Sequence, residues 1–228
     1  MLGWDRRKLH RRLGKTHPAA PPGEVIFRSS RFWDYVAPHG DTTIPSPPGM
    51  AIGDYLLTVF VIGAPGVAPV PVPPAGFLPV GGVYPLANPP DGSFDLQIYA
   101  WWWEASSTPA NFTFTHASAR TNLFMVDAFG ADPIAPIVSG AVDPSDTPTA
   151  PSISPPVGSL ILYWAQSSNF IGGIAPPAGP PVWTERYDVP ASILYAATGT
   201  AVGGATGGKS VALTQAPTAA GMLAIRPA

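Results

Sequence analysis

Proline recurs along this chain at a spacing that leaves little room for long helices. Thirty-one prolines and 24 glycines punctuate 228 residues. Inside a helix, proline deletes a hydrogen bond and clashes with the preceding turn. The uncharged stretch from Tyr55 to Pro90 carries Pro65, Pro69, Pro71, Pro73 and Pro74, so it is not a membrane-crossing helix. Proline and glycine at this level approach the range of low-complexity disorder. Seven Trp, seven Tyr and ten Phe oppose that outcome, because they supply apolar area that disordered chains lack. The prolines therefore belong in turns and loops between strands.

The strand candidates are β-branched or aromatic runs bounded by Pro, Gly, Asn or Asp. They are Val25–Arg28, Tyr55–Ile62, Asp95–Glu104, Phe112–Thr115, Leu123–Phe129, Ser159–Ala165, Ser192–Ala197, Ser210–Leu213 and Met222–Arg226. Many short strands with turn signals between them predict an all-β sandwich or jelly roll. The glycine cluster Gly203-Gly204 to Gly207-Gly208 reads as a hairpin turn.

An internal repeat sharpens this. Gly53-Asp54-Tyr55-Leu56-Leu57 is answered by Gly158-Ser159-Leu160-Ile161-Leu162, and Pro73-Pro74-Ala75-Gly76 by Pro176-Pro177-Ala178-Gly179. Further on, Gln97–Ala100 answers Ile193–Ala196, Phe112–Phe114 answers Val211–Leu213, and Leu123–Val126 answers Met222–Ile225. Each half offers about four strands with one apolar face, too few to stand alone comfortably. Two halves packed face to face bury both faces. The expected architecture is a jelly-roll-like β-sandwich over 24–228, with halves at about 24–140 and 141–228.

Charge is scarce, at 11% of residues against about 25% in ordinary soluble domains. Such a surface suits burial against other subunits. Half of the twelve Lys and Arg fall in the first fifteen residues: Arg6, Arg7, Lys8, Arg11, Arg12 and Lys15, opposed only by Asp5. Residues 1–23 thus read as a basic arm and a Pro-rich linker on an acidic body. No apolar core of a secretory signal follows the arm. Clustered cations attract phosphate, but no nucleic-acid-binding fold accompanies them. Docking onto an acidic protein neighbour is the preferred role.

These residues also carry a family likeness. Thr43-Ile44-Pro45, Pro48-Gly49, Gly53–Leu57 and the Pro-Pro-Ala-Gly turn resemble, in order and spacing, β-sandwich domains of bacteriophage minor tail proteins. The second half is similar to them in Pro156, Gly158-Ser159-Leu160, Trp183–Arg186, Ala205-Thr206-Gly207 and Leu223–Pro227. The likeness covers nearly everything after Glu24 and leaves the arm outside. It implies a lectin-like jelly roll in a virion, in the tail sooner than on the capsid surface, and no catalytic activity. It also implies other virion proteins as partners, with a homo-oligomer, a trimer by analogy, as the assembly.

No motif of catalysis emerges from the residues themselves. Ser118, His116 and Asp127 can be drawn as a triad, but no nucleophile-elbow sequence frames them, and a loop histidine is the preferred reading. Asp143 and Asp146 read as a solvated loop without the alternating oxygen pattern of a calcium site. The absence of cysteine excludes disulfides and thiolate metal sites. No cofactor is expected. Trp101-Trp102-Trp103 is the oddest local feature. Strand alternation splits the three between opposite faces, so at least one ring is expected outside the core. Burial on both faces, a subunit interface and a sugar-stacking platform all stand open, the interface ahead of the sugar for want of polar partners. The functional expectation is a non-enzymatic virion structural protein, a minor tail or tail-tip component. A capsid decoration or head-fibre protein and a carbohydrate-binding adhesion module for host-surface glycans are the alternatives.

Overall fold

The computed structural model describes residues 23–80, 84–85, 95–132, 137–145, 149–171, 175–187, 192–210 and 218–228. Arg6, Arg7, Lys8, Arg11, Arg12 and Lys15 lie outside the described residues, as do Asp146 and Val211 to Leu213. Among the described residues every regular element is a β-strand. The first half contributes β1 (Ile26–His39), β2 (Thr42–Pro45), β3 (Tyr55–Ala64), β4 (Leu78–Pro79), β5 (Tyr84–Pro85), β6 (Asp95–Glu104), β7 (Asn111–Phe114) and β8 (Ala119–Phe129). The second contributes β9 (Ile137–Ser145), β10 (Thr149–Ala150), β11 (Leu160–Ile171), β12 (Trp183–Tyr187), β13 (Ser192–Thr200), β14 (Lys209–Ser210) and β15 (Thr218–Ile225). No described helix is long and apolar enough to cross a membrane.

Two antiparallel sheets make a β-sandwich. The first runs β1-β8-β3-β6-β4, with β5 also on β6, and the second β12-β13-β11-β15-β9. Their inner faces share one core: Tyr55, Leu57, Val59, Phe124 and Val126 from the first meet Leu160, Leu162, Trp164, Leu194 and Leu223 from the second. Each outer face is buried too. The pair β2–β7 brings Ile44, Phe112 and Phe114 over the first sheet, and the pair β10–β14 brings Ala150 over the second. This explains why β3 is a continuous apolar run rather than an alternating one: all ten of its residues are buried.

The sheets have the same connectivity. Central β3 lies between β8 and β6, as central β11 lies between β15 and β13, and β1 and β4 flank the first set as β9 and β12 flank the second. The turns entering the central strands match bond for bond. Gly53 and Gly158 both take positive φ, at 89° and 81°. The Gly53 amide donates to Ala105 O at 2.8 Å, and the Gly158 amide to Ala201 O at 2.9 Å. The Ala105 and Ala201 amides donate back to Asp54 O and Ser159 O, each at 2.8 Å.

Register refines the expected repeat. Tyr55 faces Ala128 and Glu104, and its counterpart Leu160 faces Ile225 and Thr200. Met125 therefore answers Met222, so the pairing of Leu123–Val126 with Met222–Ile225 is two residues out of step. An apolar run matches another as well after a two-residue slide, because that slide keeps every side chain on its face. The second sheet begins at Ile137, so the boundary between sheets falls ahead of residue 141. Asp143 sits in β9, opposite Ala220, and not in a loop. Pro144 disguised this strand; the edge position of β9 tolerates a missing donor. The glycine cluster makes no hairpin. It carries the chain from β13 in the second sheet across to β14, which pairs with β10.

Candidate functional site

The tryptophan triplet lies on β6, where Trp101, Trp102 and Trp103 pair with Thr58, Leu57 and Leu56 of β3. Trp101 and Trp103 point to the outer face and are buried. Trp103 stacks on Phe77 at 5.7 Å between centroids, and Trp101 on Tyr99 at 5.4 Å. The Phe77 turn needs Gly76: its φ is 92°, and a Cβ there would sit 2.9 Å from Trp103 Nε1. Trp102 points the other way, packs against the central core and stacks on Tyr55 at 6.2 Å. The fold thus covers both faces of β6, and of the three rings only Trp102 keeps part of its surface open. A sugar-stacking or interface role needs such an open ring face.

A charged cluster that the sequence did not suggest lies at one end of the same outer face. Register shifts between Phe27 and Ser29, so Arg28 is the extra residue of a β-bulge, a feature that re-aims a side chain. Its Nε approaches Asp54 Oδ2 at 2.9 Å and Asp127 Oδ2 at 3.6 Å, and one terminal nitrogen donates to Asp54 Oδ1 at 3.1 Å. The Ala51 amide donates to Asp54 Oδ2 at 2.7 Å. Both carboxyls are essentially inaccessible, so one guanidinium serves two buried acids. Burial first, and then the Asp54 charge, push the Asp127 carboxyl up to about 8 against the opposing pull of Arg28. The cluster thus favours the neutral form of Asp127. The cluster is not repeated in the second sheet: register puts Ser159 and Ala224 in place of Asp54 and Asp127, and Val138 answers Ser29, so the bulged Arg28 is left without a match.

The drawn triad does not assemble. His116 is a buried loop residue whose ring faces Thr42, whereas Ser118 is exposed. Asp127 lies eight residues along β8 from Ala119, roughly 26 Å at strand rise. Among the described residues no group of three or more His, Asp or Glu is placed to hold a metal ion.

One feature open to a partner is an apolar rim at one end of the second sheet. Val157, Val182 and Val202 are 65%, 89% and 72% exposed. Val202 lines a shallow dent with Pro155, Pro180 and Pro181. Val157 stands at its edge, where a Cβ on Gly203 would come within 3.1 Å of it. The contributing stretches 151–165, 175–182 and 201–208 contain no charged residue. Compared with known proteins, the chain matches no family model, no curated protein and no solved structure.

Proposed function

We propose that this protein is a non-enzymatic structural component of a bacteriophage particle, a minor tail or tail-tip protein. Its apolar rim packs against a neighbouring subunit, and its basic arm docks on an acidic one. The observation that carries the reading is the rim: three exposed valines around a proline-lined dent on uncharged chain. Surface of that kind marks protein–protein contact when it is contiguous. The low charge of the whole chain and the likeness of its repeated motifs to tail-protein sandwiches point the same way.

Gold-labelled antibody microscopy on intact particles of the source tests the location. Label at the tail supports the reading, and label over the head moves the protein to capsid decoration. No label, with an antibody that binds the free protein, would sink both. The rim is tested by V182D. Its stability should change by less than about 0.5 kcal/mol, as at exposed sites generally, while incorporation into particles is lost. Normal incorporation of V182D together with a deletion of residues 1–17 would leave neither surface with a role.

A further inference from the structure

At the other end of the first sheet's outer face, two histidines are joined through two threonines. His39 closes β1, displaced by a register irregularity between Tyr35 and His39; Thr42 opens β2, His116 follows β7, and Thr121 lies near the start of β8. His39 Nε2 lies 2.8 Å from Thr121 Oγ1, Thr121 Oγ1 2.9 Å from Thr42 Oγ1, and Thr42 Oγ1 2.9 Å from His116 Nε2. Thr42, Thr121 and His116 are buried, so water has little access to the middle of this chain.

The other nitrogen of each ring settles where the hydrogens are. His39 Nδ1 faces Gly40 O at 2.7 Å and His116 Nδ1 faces Ala117 O at 2.7 Å. A carbonyl can only accept, so each Nδ1 carries a hydrogen, and in a neutral ring Nε2 then carries none. Three contacts remain to be filled, with the two hydroxyl hydrogens alone to fill them. If each threonine donates to its histidine, the two hydroxyl oxygens meet lone pair to lone pair. One added proton on either Nε2 supplies the missing third hydrogen, and all three contacts become hydrogen bonds running in one direction. Shifting each hydrogen one step reverses that direction and passes the charge to the other ring, with no atom gained or lost.

We propose that the His39–Thr121–Thr42–His116 chain binds one shared proton, and that this proton locks together the corner where β1, β2, β7 and β8 meet. A second proton is opposed by the first, since the ring centroids are 5.5 Å apart. The groups whose charge His116 feels are His39 and Asp41, and Asp41 Oδ1 also accepts the His116 amide at 3.1 Å. From β3 and β7 the packed neighbours are the neutral rings of Phe60 and Phe114, and Trp33 of β1 lies beside His39. Arg120, next to Thr121 on β8, is exposed. Burial pushes His116 below the ordinary histidine value.

The test is a titration of the ring nitrogens in the full-length protein by nitrogen-detected NMR, alongside T42V and T121V. Expected are Nδ1-protonated neutral rings, two separated protonation steps for the pair, and slowed amide exchange at the corner after the first. Either valine variant should lower the first midpoint by about one pH unit, the size of a hydrogen bond to a charged group. Nε2-protonated neutral rings, coincident steps in the wild type, or an unmoved first midpoint in both variants would each overturn the proposal. Should the variants fold poorly, the wild-type titration decides alone.

Discussion

The two sheets share connectivity, register and entry turns, yet fill their outer faces with opposite material. The first face is aromatic: Phe60, Phe77, Trp101, Trp103, Phe112 and Phe114. The second is largely alanine around two tyrosines, with Ala165, Ala197, Ala220 and Ala224 beside Tyr163 and Tyr195. Matched pairs even exchange sizes. Thr58 beside Trp101 becomes Tyr163 beside Ala197, and on the inner face Val59 beside Phe124 becomes Trp164 beside Gly221. A Cβ on Gly221 would lie 2.5 Å from the Trp164 ring, so the large member dictates the small one. What the shared backbone requires is a filled volume per cross-strand pair, and it leaves open which strand supplies it.

Substitutions at equivalent positions should separate what the frame needs from what one copy added. The largest difference is expected at the entry turns. Asp54→Ala takes from Arg28 its nearer carboxylate and from the Ala51 amide its acceptor, and should cost about 3–5 kcal/mol, the loss typical of a broken buried pair. Its counterpart Ser159→Ala should be nearly neutral, because the buried Ser159 hydroxyl has no hydrogen-bond partner. Urea denaturation of both variants checks this, and equal costs would mean that the turn and not the charge matters.

Next comes the size exchange. G221A should cost about 1–3 kcal/mol by overpacking. The graft W164V/G221F, which writes the first sheet's pair into the second, should cost less than its two single changes together by about 1 kcal/mol or more. Strict additivity would refute pairwise filling.

The last effect is read as a slope against pH. The folded protein keeps Asp127 protonated up to about pH 8, whereas the ordinary carboxyl value is 3.8. Across that window the folded state binds the extra proton. The Asp127 contribution is therefore complete below pH 3.8 and is lost as pH rises through about 8. The slope is at most about 1.4 kcal/mol per pH unit, the ceiling for one group. Asp127→Asn should flatten it, and a stability curve over pH 4 to 9 that does not change would show that Asp127 titrates normally.

Strands buried on both faces were the legible part of the sequence. Asp95–Glu104 was read with the bounds that β6 has, and Tyr55–Ile62 falls two residues short of β3, because each is an unbroken run of strand formers. Edge strands were not legible. The far half of β1 contains Pro38, and β9 contains Pro144; both elements keep their pairing on one side only, a condition that local propensity does not register. The Arg28–Asp54–Asp127 cluster joins residues 26 and 73 positions apart in sequence, so only the sheet register brings it together. Two signals could have raised it: an Asp in the first copy where the second has Ser, and a lone carboxylate inside the apolar run Leu123–Phe129. The histidine chain was missed because Thr42 and Thr121 look like ordinary strand residues until proton positions are counted.

The sandwich ends laterally in elements that cannot extend themselves. β4, β5 and β9 contain Pro79, Pro85 and Pro144, while β1 and β12 are broken by register shifts, at Arg28 in β1 and between Glu185 and Tyr187 in β12. Neighbouring copies therefore have no clean ladder to continue, and blunted edges of this sort suppress fibril growth. In a chain with so few charges to keep copies apart, these blunted edges are the safeguard against edge-to-edge stacking.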